Sequence, residues 1–295
     1  MVVVALLAFA APAGADESSA FFSVSAGASP VGVEYFDAGA PVIPGEIVYG
    51  SIAVTRAALD SVGNSSGFAA GPYFGDNVPA LMGAVNALGP QGAILPQYPF
   101  MVQSQYPGTK DQKQDEGPRK LVATSSENES TGDAHVGLAR GNPGVLSVSS
   151  TSKVKQDPAT GALLATADGL VQGFSVGPTL TIGQLVSHAE MSGRPGEKPT
   201  KKTTLSIGPI TVMGQLVGLT EKGLVPVPGT PKATDVNGLT KQLSAAGITL
   251  GLLPGEETDT GIDSAAVVVG IAQKGPGGIT RVRIILGRVR ARVES

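Results

Sequence analysis

The chain has 295 residues, with 21 basic and 24 acidic side chains, a net charge of −3, and neither cysteine nor tryptophan. The missing cysteines exclude disulfides, thiol catalysis, a lipidated N-terminal cysteine and a thiolate zinc site. The near-neutral charge gives no electrostatic case for nucleic acid. Forty-one glycines beside many β-branched residues point to an exported, mainly β protein rather than a helical enzyme.

Residues 1–15 open with the apolar run 2–11, broken by Pro12 and followed by the small residues Ala13, Gly14 and Ala15. This pattern predicts a signal peptide cleaved before Asp16, although a basic leader segment is missing. The run is too short to span a bilayer, which takes about 20 apolar residues. The alternative is a buried N-terminal strand. The expected location is therefore extracellular or at the cell surface, with no transmembrane span in the mature chain.

Residues 16–106 form an acidic, aromatic-containing part. Its acids are Asp16, Glu17, Glu34, Asp37, Glu46, Asp60 and Asp76, and Arg56 is its single base. Within it, Gly63-x-Ser65-x-Gly67 matches the nucleophile-elbow spacing of serine hydrolases. An elbow needs a strand-to-helix turn above a parallel sheet, and no βαβ alternation surrounds this one. The base would have to be His135 or His188, the only histidines. Ser65 therefore reads as a glycine-serine loop residue, and serine hydrolysis ranks third among the functional readings. "DNVPALMGAVNALG" predicts a short helix at about 78–88, capped by Asn77, with Pro79 in its first turn.

Residues 107–135 are polar and mixed in charge, which predicts a loop or linker. Here Glu127, Glu129, Asp133 and His135 lie close together, as do Glu256, Glu257, Asp259 and Asp263 further on. Neither set has a calcium-loop spacing, so both read as solvated loops, with no metal site and no cofactor.

Residues 136–295 are β-rich, either as a separate unit or as one domain with 16–106. In 146–155, Leu146, Val148 and Val154 share one face and Ser147, Ser149, Lys153 and Lys155 the other, a period of two. "DPATG" then turns the chain into a partner strand. Strand parity in 180–191 puts His188 and Glu190 opposite Leu185, Ala189 and Met191. A helix is predicted over 235–246, capped by Thr234 or Asp235, striped by Val236, Leu239, Leu243 and Ala246, and closed by Gly247. "SAAVVVGIAQ" is apolar on both faces and belongs inside a sheet.

The closing strand carries Arg281, Arg283, Arg288, Arg290 and Arg292. Their phase flips at Gly287, where a β-bulge would bring all five to one side. Such a row suits an anionic partner, namely lipid or a cell-envelope polymer. Alternatively, it is charge guarding an exposed sheet edge.

The segments "ALDSVGNSSGFAAGPYFGD", "KLVATSS", "GLVQGFSVGPTLTIGQLVSHA", "GPITVMGQLVGLTEKGLVPV", "LTKQLSAAGITLGLL" and "ILGRVRARV" together resemble a group of secreted actinobacterial β-rich proteins, some with variable C-terminal surface anchors. The resemblance implies export and a β-rich fold, and carries over no catalytic residue or cofactor. The expected fold is mainly β, an antiparallel curved sheet or sandwich with one or two short helices. The expected function is non-enzymatic binding of an apolar or lipid-like ligand. The alternative is a structural or adhesive envelope module.

Overall fold

The computed structural model describes residues 21–37, 48–75, 100–138, 144–229, 235–275 and 278–294. The segments expected as a signal peptide (1–15) and a helix at about 78–88 lie outside them.

Alternation with period two builds two antiparallel sheets from this chain. β1 (Ser23–Asp37), β2 (Val48–Ser51), β3 (Val54–Asp60), β4 (Ser65–Ala70) and β5 (Met101–Tyr106) belong to the first sheet. The chain then crosses to the second sheet. There β6 (Gln112–Glu116), β7 (Arg119–Ser126), β8 (Glu129–Gly137), β9 (Ser147–Gln156) and β10 (Leu163–Val176) follow as neighbours. β11 (Leu180–Gly193), β12 (Thr200–Ile207), β13 (Ile210–Val212), β14 (Gln215–Thr220) and β15 (Gly223–Pro226) complete that sheet. After helix α1 (Val236–Ala245), the strands β16 (Ile248–Leu253), β17 (Glu256–Thr258), β18 (Gly261–Asp263), β19 (Ala266–Gly275) and β20 (Gly278–Glu294) return to the first sheet. Its order is β16-β19-β20-β1-β3-β4-β5, and neither sheet closes on itself.

The mainly β expectation therefore holds, with one short helix among the described residues. Asp235 caps α1 by accepting a hydrogen bond from the Gly238 N–H at 2.9 Å, and Leu239 and Leu243 are buried beneath it. Gly247, at φ +71°, ends it.

Two expectations need correction. The stretch 107–135, read as a polar loop or linker, contains β6, β7 and most of β8. Apart from Leu121, its inward residues are small (Ala123, Ser125, Ser130, Gly132 and Ala134), so the hydrophobic alternation is faint. The reason is close approach of the sheets. A Cβ on Gly67 would lie 2.2 Å from the Thr131 carbonyl oxygen, and one on Gly132 would lie 2.1 Å from that of Phe68. Backbone meets backbone here, which leaves no room for large side chains. Thr55 and Ser152 join hydroxyls across this seam at 2.8 Å, and the buried hydroxyls of Ser104, Ser130 and Ser150 have no hydrogen-bond partner in it.

The second correction concerns the closing strand. β20 is no edge: β1 pairs along one side of it, and β18 and β19 along the other. Nor does Gly287 form a bulge. Ser29 pairs with Arg288 and Val31 with Leu286, so β1 and β20 stay in step across Pro30 and Gly287. Instead both strands reverse phase together. Ala28 and Val289 face the second sheet on one side of that step, while Val31 and Leu286 face it on the other. Gly287 adopts φ +86°, where a Cβ would strike Leu185 at 2.3 Å. Pro30, opposite it, has no N–H to lose from the ladder. Ser264 bridges the gap between β18 and β19. Its hydroxyl donates to the Gly287 carbonyl at 2.9 Å and accepts from the Val289 N–H at 3.1 Å.

The reversal separates two apolar clusters of the core, one rich in aliphatics around Phe174, Leu185 and Leu286, the other dominated by alanines and valines around Met191. A third, small cluster joins Val54, Ala70 and Tyr73.

Candidate anion-binding face

Because β20 changes phase at Gly287, Val282, Ile284 and Leu286 turn to the core before it, and Val289, Ala291 and Val293 after it. All five arginines of the strand consequently lie on the outer face of the first sheet. Arg281, Arg283, Arg288 and Arg290 are exposed and Arg292 is half-buried. The side expected for the row is thus the side observed, reached by a paired phase reversal and not by an inserted residue.

These arginines do not act as one group. Arg283 pairs with Glu34 at 3.1 Å. Arg288 and Arg292 share the single carboxylate of Asp263, at 3.7 and 3.6 Å. Arg290 lies across the bare backbone of Gly27, where an added Cβ would stand 3.2 Å from its Nε. No carboxylate lies within ion-pair distance of Arg290 among the described residues.

A sixth arginine joins them that the sequence did not single out. Arg56 on β3, the lone base of the N-terminal part, stands two strands away, because β1 separates β3 from β20. Its guanidinium sits 5.3 Å from the Phe68 ring centroid and 5.2 Å from that of Tyr73. It also donates a hydrogen bond to the Tyr73 hydroxyl at 3.2 Å. Phe68 and Tyr73 meet edge to face with centroids 5.5 Å apart. The planar cation is held by two rings and one hydroxyl, so its orientation is set before any ligand arrives. The one available signal was its isolation: a single base among seven acids.

Around these side chains are two adjoining depressions, of about 290 Å³ and 410 Å³, which share Arg56, Tyr73 and Arg290. The smaller adds Arg288, Ser29 and Tyr49; the larger adds Phe68, Met101 and Gln103. Among the described residues neither has an acid in its lining. At the rim, Ser29 Oγ lies 2.8 Å from Ser51 Oγ and 3.2 Å from the Tyr49 hydroxyl. Ser51 also donates to Tyr49 at 2.9 Å.

The other candidates are scattered. Ser65 is the first residue of β4 and not a loop residue. It is 3% exposed, and its hydroxyl donates to the Ser126 carbonyl at 2.6 Å. Both histidines belong to the second sheet. His135 Nδ1 is 2.8 Å from Ser149 Oγ. His188 Nδ1 is 2.7 Å from Asp168 Oδ1, and its Nε2 is 3.8 Å from Glu190. As strand parity predicts, His188 and Glu190 stand opposite the buried Leu185, Ala189 and Met191. The hydroxyl against His135 is that of Ser149, and Ser65 is not bonded to either imidazole, its hydroxyl being given to the Ser126 carbonyl.

The acidic sets expected in loops sit largely on strands: Glu129, Asp133 and His135 on β8, Glu256 and Glu257 on β17, and Asp263 on β18. No three His, Cys, Asp or Glu side chains among the described residues converge as metal ligands would. Beside α1, a further depression of about 340 Å³ is lined by Lys222, Leu224, Thr240, Leu243 and Ile248 among others. No described helix is long and apolar enough to cross a membrane.

No protein-family model, curated protein or solved structure matches this chain.

Proposed function

We propose that this is an exported, non-enzymatic binding protein of the cell surface or medium, and that its ligand is lipid-like. The observation that carries the reading is the pair of adjoining depressions on the outer face of the first sheet, where apolar and cationic walls meet. Ligand sites are commonly concave, mostly apolar and fitted with a few polar anchors, at volumes of roughly 300–1,000 Å³. The small residues packed between the sheets favour this surface position over an internal cavity. The non-enzymatic part rests on Ser65, whose hydroxyl is buried and engaged by a backbone carbonyl on the neighbouring sheet. Export rests on the leader-like residues 1–15 and on the resemblance to secreted actinobacterial proteins.

Native mass spectrometry of protein recovered from a bacterial host tests the reading, together with co-sedimentation on isolated envelopes. A co-purified lipid mass, or envelope binding, is the expected result. Protein that carries no lipid and stays in the supernatant would overturn it. N-terminal sequencing of the secreted form should begin at Asp16.

A further inference from the structure

The geometry points to a more specific ligand: we propose that the two depressions form one site for a phosphate-bearing amphiphile. The phosphate sits among Arg288, Arg290 and Arg56, and the apolar chain runs along Phe68 and Met101. This rests on the reading above that the ligand is lipid-like.

Charge is the first argument. Three guanidinium groups line the joined depressions, and among the described residues no carboxylate does. The nearby Asp263 is already shared between Arg288 and Arg292, one anion between two cations. Arg290 has no acidic partner among the described residues, and it lies flat on Gly27 with its guanidinium at the junction of the two hollows. An interior strand also has no exposed edge to protect, so edge protection does not account for these charges.

Geometry is the second. Guanidinium forks pair with phosphate oxygens through parallel, charge-assisted hydrogen bonds. Arg56 is pinned by two rings and a hydroxyl, so little side-chain freedom remains to be lost on binding. The hydroxyls of Ser29 and Tyr49 add neutral donors in the lining of the smaller hollow. A tetrahedral anion with several acceptor oxygens suits donors arriving from β1, β2, β3 and β20 better than a planar carboxylate does.

The third argument is the adjoining apolar wall. The larger hollow continues from Arg56 and Arg290 onto Phe68 and Met101, a polar head and an apolar trough in one groove. Tyr73 is only 3% exposed and already carries Arg56 on its face, so it offers no platform for stacking a nucleobase.

The test is isothermal titration of the full chain with dihexanoyl phosphatidic acid, inorganic phosphate and octyl glucoside. Phosphatidic acid should bind, inorganic phosphate about tenfold or more weaker, and octyl glucoside should not compete. Arg290→Gln should weaken phosphatidic acid binding about tenfold, and Arg290→Lys should recover part of the loss. The double variant Arg281→Gln/Arg283→Gln removes more charge from the same face outside the groove and should leave the affinity within about twofold. Thermal melts of each variant should match the parent, since these side chains are exposed. Equal affinity for inorganic phosphate would remove the amphiphile from the proposal. Equal losses from both sets of variants would reduce it to diffuse attraction and overturn the site. Undiminished binding by Arg290→Gln overturns the site and leaves the lipid-binding reading standing. A parent chain that binds neither short-chain lipid nor envelope overturns both.

Discussion

The two sheets expose charge to solvent in opposite ways. On the outer face of the second sheet, opposite charges stand together: Lys153 meets Glu129 at 2.8 Å and Lys120 approaches Asp115 at 3.9 Å. On the outer face of the first sheet, Glu34 and Asp263 pair with arginines of β20, and Arg56 stands beyond β1. Strand pairing adds Asp60, Glu256 and Glu294 to this face, but among the described residues none of these acids lines the depressions around Arg56 and Arg290. Exposed pairs of the first kind contribute about 0–1 kcal/mol each and need no functional reason. An excess of one sign gathered around a concave, partly aromatic surface is different, because it raises the local concentration of an oppositely charged ligand. The contrast, more than any single residue, separates a solvated face from a binding face.

The largest expected effect breaks the platform itself. Gly67→Val places a branched side chain where even a Cβ would be 2.2 Å from the Thr131 carbonyl. The sheets would have to part beneath Phe68 and Arg56, at a cost of about 3 kcal/mol or more. Denaturant melts should show the loss, and any ligand affinity should fall with it. A variant as stable as the parent would mean the close approach is not real.

Next comes the device that turns the arginines outward. Ser264→Ala removes the hydroxyl bridging the Gly287 carbonyl and the Val289 N–H, leaving two buried backbone groups short of a partner. A loss of about 1–3 kcal/mol is expected, with faster amide exchange at Val289. Ser264→Thr retains the hydroxyl and should recover part of the stability. An unchanged melt for Ser264→Ala would show that the phase reversal holds without it.

Arg56→Lys sharpens the comparison more gently. A lysine keeps the charge but not the planar group between Phe68 and Tyr73, so about 1 kcal/mol should be lost. Lys153→Gln, on the opposite face, should stay within about 0.5 kcal/mol of the parent. If the two substitutions cost the same, the two faces are energetically alike and the contrast fails.

These positions also show what could be read from the chain alone. β9, β10 and β19 were legible because aliphatic side chains alternate, or fill both faces, along them. Asp235 and Gly247 marked the ends of α1 by ordinary cap chemistry. β7 and β8 were not legible, since their inward residues are Ala, Ser and Gly wherever the facing sheet comes within backbone contact. Pattern recognition depends on bulk, and this part of the core excludes bulk. The arginines of β20 were visible as a row, and Gly287 as the place where their phase changes. The partner change at Pro30 was invisible, because it lies 257 positions away and the two strands meet only in the sheet. Arg56 was hidden for the same reason: its link to Arg290 depends on β1 lying between them.

The smallest effect compares the two sheets at their turns. Asp60 ends β3 in the first sheet and accepts hydrogen bonds from the N–H groups of Val62 and Asn64 and from the Asn64 side chain, at 2.9–3.0 Å. Slight burial pushes its pKa up, but these hydrogen bonds outweigh it, with the Asn64 side chain foremost, and hold the carboxyl below its ordinary range. Asp157 follows β9 in the second sheet, and its carboxyl is held low chiefly by the Ala159 N–H, with Thr160 helping. A depressed folded-state pKa stabilises the fold above the unfolded value of about 4, and that contribution is lost as the pH falls through the folded value. Melting temperatures measured from pH 7 down to pH 3 should therefore decline below about pH 4. Asp60→Asn and Asp157→Asn should each flatten part of that decline while lowering stability slightly at neutral pH. Because both turns are exposed, the share removed by each should be small and similar, in contrast to the asymmetry between the sheets' outer faces. An acid slope unchanged in the double variant would assign the decline to other carboxylates.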